Sequence, residues 1–171
     1  MRQRLRWRDN ALVWLAVSAI VIVIDQITKA IAIAKLEPYV PHEVIPGFFN
    51  WTLAFNTGAA FSFLADQPGW QRWLFTILAI GVTIALTIWL KTTRRNDWKI
   101  ALPVALVIGG ALGNLIDRIH VGTVTDFIQV YYRDWVFPSF NIADSSISVG
   151  ATLLVLFGLF ASGKRTGSEL K

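Results

Sequence analysis

Four long apolar runs alternate with polar segments along this 171-residue chain. A helix needs about 20 apolar residues to cross a bilayer, and runs near this length cover residues 11–34, 73–90, 100–116 and 142–161. The third run is the shortest and contains Pro103, which is tolerated inside a membrane span. The pattern predicts an all-α membrane protein, a four-transmembrane-helix bundle that forms one integral membrane domain over residues 1–171.

The first apolar run also has features of a secretory signal. It follows a basic start and ends in Ala-x-Ala at residues 32–34, the form of a cleavage site. Asp25 and Lys29 interrupt the apolar stretch, however, and three further spans follow. We therefore interpret this run as a helix that is retained.

The segment between the first two runs has a different character. Pro46-Gly47 indicates a turn, and residues 48–63 are rich in aromatic and β-branched side chains around Asn56-Thr57-Gly58. This composition predicts a small β-rich subdomain over about residues 40–66, arranged as a hairpin-like sheet on the membrane surface with its aromatic side chains toward lipid.

Most of the 16 lysines and arginines lie in three segments. These are residues 2–8, the link at residues 91–99 and the tail at residues 164–171. Basic segments stay on the cytoplasmic side of a membrane, so both termini are expected inside and residues 35–72 and 117–141 outside. The net charge of +5 is then explained without nucleic acid as a partner.

Composition excludes several kinds of catalytic site. The chain has no cysteine and only two histidines, His42 and His120, neither of them in a His-Glu-x-x-His pattern. Disulfides, thiolate metal sites and a cysteine nucleophile are excluded, and a zinc hydrolase is disfavoured.

Polar residues inside a membrane span are costly and point to function. Asp25 and Lys29 stand four apart, so they share one helix face and can form a structural ion pair. The alternative, in which Lys29 is the general base for a serine, is disfavoured because an adjacent carboxylate keeps the lysine protonated.

The third run ends in a polar stripe. Gly109 and Gly113 form a small-xxx-small pair that permits close helix approach, while Gly110, Asn114 and Arg118 repeat every four residues toward the outer interface. An amide and a guanidinium at this depth need partners. Asp117 is interpreted as a local salt-bridge partner of the adjacent Arg118.

Two further aspartates lie at the same outer boundary. Asp126 sits among apolar neighbours just beyond the third span, and Asp144 sits at the start of the fourth, on one face with Ser145 and Ser148. Asn141 or Asp144 is also a candidate helix cap. If Asp126 and Asp144 meet in a low-dielectric site, one stays protonated and the other acts as a base, as in aspartic proteases.

Two other functions remain open from these residues. Intramembrane acids also serve proton-coupled carriers, although the chain shows no inverted repeat or broken-helix pair. A non-catalytic assembly factor would use the polar stripes only to hold helices together.

The chain resembles the lipoprotein signal peptidase (signal peptidase II) family in five motifs that occur in family order. They are Asp25-Gln-Ile-Thr-Lys29, Asn56-Thr-Gly-Ala-Ala-Phe61, Gly109-Gly-Ala-Leu-Gly-Asn-Leu-Ile-Asp-Arg118, Val124-Thr-Asp-Phe127 and Phe140-Asn-Ile-Ala-Asp-Ser145. The resemblance implies an intramembrane aspartic endopeptidase of the bacterial inner membrane. It would cleave diacylglyceryl-modified prolipoproteins before the lipidated cysteine.

The resemblance also implies roles for individual residues. Asp126 and Asp144 match the catalytic dyad; the implied substrate-binding positions are Asn56, Asn114, Arg118 and Asn141, and the implied structural positions are Asp25, Lys29, Gly58 and Gly110. No metal or organic cofactor is implied. The implied partners are prolipoprotein substrates, membrane lipid and the inhibitory cyclic peptide globomycin, and a monomer is expected to suffice.

Overall fold

The computed structural model describes residues 9–58 and 69–162 of the chain. A 3₁₀ turn at Ala11–Trp14 leads into the first of four α-helices, and four β-strands lie between the helices. In chain order the elements are α1 (Leu15–Lys35), β1 (His42–Ile45), β2 (Phe49–Asn56), α2 (Trp70–Thr92), α3 (Trp98–His120), β3 (Val124–Tyr132), β4 (Trp135–Val136) and α4 (Ile142–Ser162).

The four predicted spans are confirmed as helices long and apolar enough to cross a membrane. The second and third are longer than predicted, because they begin at Trp70 and Trp98 and the third continues to His120. The extra residues of α3 include Asp117 and Arg118, whose polar groups find partners inside the protein. An apolar-run criterion stops at such residues, whereas the helix does not.

Helix α3 forms the centre of the bundle and packs against α1, α2 and α4. Most of its span is buried, whereas the other spans expose broad apolar faces, as expected for helices that contact lipid. Its glycines permit very close packing. A Cβ atom on Gly109 would lie 2.8 Å from the Val21 side chain, and one on Gly113 would lie 2.7 Å from the Asp25 carboxylate.

One end of the bundle is fastened by the residues that precede α1. The Asn10 side chain caps the 3₁₀ turn by accepting a hydrogen bond from the Leu12 N–H. The Ala11 N–H donates to the Thr93 carbonyl, and the Trp14 indole N–H donates to the Arg95 carbonyl. The start of α1 and the link between α2 and α3 therefore lie at the same end.

The predicted β-rich subdomain between α1 and α2 is confirmed, but its sheet extends beyond the predicted local hairpin. Strands β1 and β2 do form a hairpin, with Gly47 in the left-handed region at φ +75° in its turn. Beyond it, β2 pairs with β3, which follows α3, and the order is β1-β2-β3-β4 with all pairs antiparallel. The segment around Asp126, which follows the third span, is thus a central strand.

Backbone hydrogen bonds join this sheet to the start of α4. Ile128 and Phe140 exchange two of them, with Ile128 N–H to Phe140 carbonyl at 2.9 Å and the reverse bond at 3.0 Å. The residues that open α4 are thereby held beside β3.

Parts of three predictions lie outside the described residues. They concern the outer segment beyond Gly58, including Phe61 and Phe63, the arginines at positions 2, 4, 6 and 8, and the basic tail.

The close packing of α3 on α4 yields a stability prediction. A Cβ atom on Gly110 would overlap the Ala143 carbonyl oxygen and lie 2.7 Å from the Ile147 side chain. Overpacking of this kind costs about 1–3 kcal/mol, so we expect Gly110→Ala to lower Tm by several degrees in a thermal unfolding assay. Gly81→Ala is the control, since nothing lies within 4 Å of its added methyl; an equal loss in both variants would contradict the packing argument.

Candidate active site

The two outer aspartates are brought together by Asn141. Asp126 is the third residue of β3, where it pairs with Ala54 of β2, and its side chain is buried. Asp144 lies in the first turn of α4. The Asn141 side-chain amide donates to Asp126 Oδ1 at 2.7 Å, and its Oδ1 accepts from the Asp144 N–H at 2.9 Å.

The start of α4 is a capping box formed by Asn141 and Asp144. The Asp144 carboxylate accepts from the Asn141 N–H at 3.3 Å, which reciprocates the bond from the Asp144 N–H to the asparagine side chain. The alternative reading of these residues as helix caps is therefore correct in geometry. The asparagine that caps the helix with Asp144 is also the one whose side-chain amide reaches Asp126.

Asn114 of α3 contacts Asp144 from the other side. Its Nδ2 donates to Asp144 Oδ1 at 2.7 Å, while its Oδ1 accepts from Lys29 Nζ at 2.9 Å and from Asn141 Nδ2 at 3.1 Å. Asn114 is buried. The polar stripe of α3 thus reaches Asp144 through the Asn114 amide, whose nitrogen donates to a carboxylate and whose oxygen accepts from an ammonium and an amide.

Asn56 and Arg118 border the site at the end of β2. Asn56 Nδ2 donates to Asp126 Oδ2 at 3.3 Å, and its Oδ1 accepts from the Gly58 N–H at 2.9 Å. The Arg118 guanidinium donates to the Gly58 carbonyl at 3.0 Å and lies 5.3 Å from the centre of the Phe75 ring. Gly58 therefore receives contacts from both residues through its backbone.

Below the aspartate pair lies a buried ionic cluster centred on Lys29. The predicted ion pair with Asp25 is present at 2.8 Å, and Asp117 lies 3.0 Å from the same ammonium. Asp117 is thus a salt-bridge partner as predicted, but of Lys29. Neighbouring residues on a helix point about 100° apart, so its sequence neighbour Arg118 points elsewhere.

The two carboxylates of this cluster bind the chain next to each outer aspartate. Asp25 Oδ1 accepts from the Ala143 N–H at 2.9 Å, one residue before Asp144. Asp117 Oδ2 accepts from the Thr125 N–H at 2.9 Å, one residue before Asp126.

Sequence reasoning did not identify Gln26 as part of this cluster. Its side-chain amide donates to Asp117 Oδ1 at 2.9 Å and to the Gly113 carbonyl at 3.2 Å. A usable signal was present, because Gln26 is itself a polar residue within an apolar run.

Burial raises the pKa of the Asp126 carboxyl from 3.8 to about 7, and the neighbouring Asp144 charge adds to the rise. Hydrogen bonds from Asn56 and Asn141 and the charge of Lys29 act in the opposite direction. A carboxyl with a pKa in this range can take up or release its proton near neutral pH.

A cavity of about 580 Å³ opens beside the pair between α2, α3 and α4. Asn114, Arg118 and Asp144 line its polar end. Its walls are mainly apolar and include Phe75, Leu78, Ala79 and Val82 of α2, Val107 and Ala111 of α3, and Ile147 and Val149 of α4. The arrangement places Asp144 at the polar end of a space whose walls suit apolar chains.

In the part of the chain that the structure describes, histidine and carboxylate side chains form no group of three able to hold a metal ion.

Comparison with known proteins gives concordant matches. Residues 17–160 match the family model described as signal peptidase (SPase) II. A lipoprotein signal peptidase from Xanthomonas campestris pv. campestris (strain 8004) is 55% identical over 161 residues, covering 94% of this chain and 96% of the relative. One from Pseudomonas fluorescens (strain Pf0-1) is 55% identical over 164 residues, covering 95% of each.

Two solved structures are also similar, both described as bacterial membrane enzymes determined by the in meso method. The first, at 2.3 Å resolution, has a TM-score of 0.77 and 33% identity, covering 93% of this chain and 92% of that chain. The second, at 1.9 Å, has a TM-score of 0.74 and 34% identity, covering 86% and 92%.

The raised pKa of Asp126 predicts a pH-dependent change in stability. As pH rises from about 4 to 7, the unfolded chain has lost this proton and the folded chain still holds it, so folded-state stability falls with rising pH. Asp126→Asn removes the ionisation. We expect it to raise the free energy of unfolding, measured by denaturant titration, relative to wild type more at pH 8 than at pH 4.5, by a difference of the order of a few kcal/mol.

Comparing two pH values cancels the pH-independent effect of the new amide on its hydrogen bonds. Asp134→Asn, on the exposed turn between β3 and β4, is the control and should show no such difference. Equal shifts of Asp126→Asn at both pH values would contradict the burial argument.

Proposed function

Because the chain belongs to the signal peptidase II family, whose members remove signal peptides from prolipoproteins, we propose that it is an aspartic endopeptidase with Asp126 and Asp144 as its catalytic pair. The observation that carries this proposal is that Asn141 donates to both carboxylates, through its side-chain amide to Asp126 and its backbone N–H to Asp144, and that Asp144 lines the polar end of an apolar cavity. Its substrate is a prolipoprotein that carries diacylglycerol on cysteine, and the bond cleaved is the one before that cysteine.

The chemistry follows from one proton shared by two carboxyls. The ionised carboxylate takes a proton from a water molecule, and the water oxygen forms a bond to the scissile carbonyl carbon. The protonated carboxyl donates to the carbonyl oxygen at the same time. The C–N bond of the tetrahedral diol then breaks, and the departing amine takes the proton of the carboxyl that had received it from water. The other carboxylate takes a proton from a hydroxyl of the diol, which becomes the product carboxyl, so the pair again holds one proton.

The surrounding amides give this reaction a fixed geometry. Asn141 and Asn114 each donate to one of the two carboxylates at 2.7 Å, which fixes the direction of both side chains. Arg118 lines the cavity beside Asp144, and its remaining donors suit a peptide carbonyl. Asn56 is the last residue of β2, and an extended substrate segment would pass beside it. We assign these four residues to substrate binding and orientation.

The cavity supports a lipidated substrate. Its walls are aliphatic and aromatic side chains from α2, α3 and α4, so acyl chains entering from the membrane would replace contacts with lipid. Ser145 and Ser148 are the hydroxyl residues of α4 in the lining. The scissile bond next to the lipidated cysteine would then lie at the depth of Asp126 and Asp144.

The same proposal includes an orientation in the membrane. The basic link between α2 and α3 lies at the end of the bundle that also holds residues 9–11, and basic segments remain cytoplasmic. Both termini would therefore be in the cytoplasm, and the dyad would lie near the periplasmic face of the bacterial inner membrane. One chain supplies every residue of the mechanism, which supports a monomer, and globomycin would occupy the same cavity.

The catalytic assignment predicts a loss of turnover without a loss of fold. We expect Asp126→Asn and Asp144→Asn each to lower kcat on a diacylglyceryl-cysteine precursor peptide by about 10²–10⁴-fold or more. Both variants should still purify as folded protein. Asp134→Asn should retain wild-type turnover, and normal turnover by either dyad variant would overturn the assignment.

The cavity predicts a dependence on acyl-chain length. Ala79→Phe would fill part of the space between α2 and α4, so we expect it to raise KM for peptides with long acyl chains more than for peptides with short ones. Ile77→Phe adds the same ring to a side chain that is 68% exposed and lies outside the lining. An equal effect of the two variants would argue against acyl chains in this cavity.

A further inference from the structure

The Lys29 ammonium has three buried partners, one for each of its N–H bonds. Two are the carboxylates of Asp25 and Asp117, at 2.8 and 3.0 Å. The third is a neutral oxygen, Asn114 Oδ1, at 2.9 Å. Lys29 is only 3% exposed, so all three contacts are made away from water, where electrostatic interactions are strong.

The third contact determines which way the Asn114 amide faces. In the observed orientation Oδ1 accepts from two donors, Lys29 and Asn141, and Nδ2 donates to the Asp144 carboxylate at 2.7 Å. The reversed amide would point its NH₂ group at the ammonium and its oxygen at the carboxylate. Both contacts would then be repulsive, so the ammonium fixes the amide as a donor to Asp144.

The two aspartates of the dyad differ in their relation to this cation. One asparagine side chain separates the ammonium from Asp144 Oδ1. Asp126 instead accepts from the neutral side-chain amides of Asn141, at 2.7 Å, and Asn56, at a long 3.3 Å. A polarised amide bound to an ammonium is a stronger donor than an isolated one.

We propose that Lys29 is a positioning residue for catalysis: through Asn114 it keeps Asp144 as the ionised member of the dyad. Asp144 then takes the proton from water, and Asp126 carries the proton that passes to the carbonyl oxygen. This inference rests on the proposed function, because it assigns separate tasks to the two members of the proposed catalytic pair.

Other charges also face Asp144, and the test must separate their effects from that of Lys29. Helix α3 contributes Arg118 and β3 contributes Asp126, while Asp25 and Asp117 pair with Lys29 itself. The variants Lys29→Met and Asn114→Ala leave all of these other charged residues in the chain.

The test measures kcat, KM and the pH profile of kcat/KM for purified, folded variants on a diacylglyceryl-cysteine peptide. Loss of the cation makes a carboxylate harder to ionise. We expect Lys29→Met to move the acidic limb of the profile to higher pH and to lower kcat about tenfold, with KM within about twofold. Asn114→Ala should move the same limb in the same direction, with the Lys29 ion pairs left in place.

A double-mutant cycle tests whether the two residues act together. Adding Lys29→Met to Asn114→Ala should produce little further shift of the limb, because the connection is already broken. Additive shifts would overturn the role of Asn114. Ser18→Ala is the matched control: the Ser18 hydroxyl donates to the Ala105 carbonyl at 2.7 Å between the same two helices, so its loss should lower Tm and leave the limb unchanged.

A purely structural role for Lys29 predicts a different result. Lys29→Met would then resemble Ser18→Ala, with lower Tm and an unmoved limb, and the inference would be wrong. If Lys29→Met does not fold, Lys29→Met/Asp117→Asn keeps the formal charge of the cluster, since it removes one charge of each sign. If neither folds, an unmoved acidic limb in Asn114→Ala alone overturns the proposal, and a shifted one supports it.

The outcome is distinguishable from failure of the proposed function. Normal turnover by Asp144→Asn would refute the assignment of Asp126 and Asp144 as the catalytic pair. An inactive Asp144→Asn together with a wild-type pH profile in Lys29→Met and Asn114→Ala would leave the dyad intact and refute only the role of Lys29.

Discussion

The buried contact between Lys29 and the carboxylates of Asp25 and Asp117 is the constraint on which the rest of the site depends. A buried charge is tolerated only when it is paired and hydrogen-bonded, and here each carboxylate has a second task. Asp25 accepts from the Ala143 N–H and Asp117 from the Thr125 N–H. Each of these amides precedes one aspartate of the dyad. One cation in α1 therefore fixes the start of α4 and the start of β3 together.

Close packing of α3 makes this arrangement possible. The missing side chain of Gly113 leaves room for the Asp25 carboxylate, and that of Gly110 leaves room for the Ala143 carbonyl. Any larger residue would separate α3 from α1 or α4 and lengthen the hydrogen bonds of the cluster. Gly113, which belongs to the predicted packing motif, and Gly110 thus also determine how near α3 brings Asn114 to Asp144.

The sequence predicted those features that depend on residues close together in the chain. Hydropathy identified four spans, helical spacing identified the Asp25–Lys29 pair, and ordered motifs identified a family that the comparisons confirm. The pairing of β2 with β3 could not be read in this way, because its partners are about 70 residues apart. The same holds for Asp117, whose partner Lys29 lies on another helix. Such contacts depend on how whole elements pack.

The two aspartates of the proposed dyad are held by different kinds of secondary structure. Asp126 is held by a central strand, whose position follows from its pairing with β2, and Asp144 is held by the capping box of a membrane helix. A strand and a helix end share no local geometry that would align their side chains. The backbone bonds between Ile128 and Phe140 supply the alignment, because they join the strand to the residue before Asn141. The sheet outside the spans thereby fixes the depth at which the helix begins, and with it the depth at which a lipid-anchored peptide bond would have to arrive.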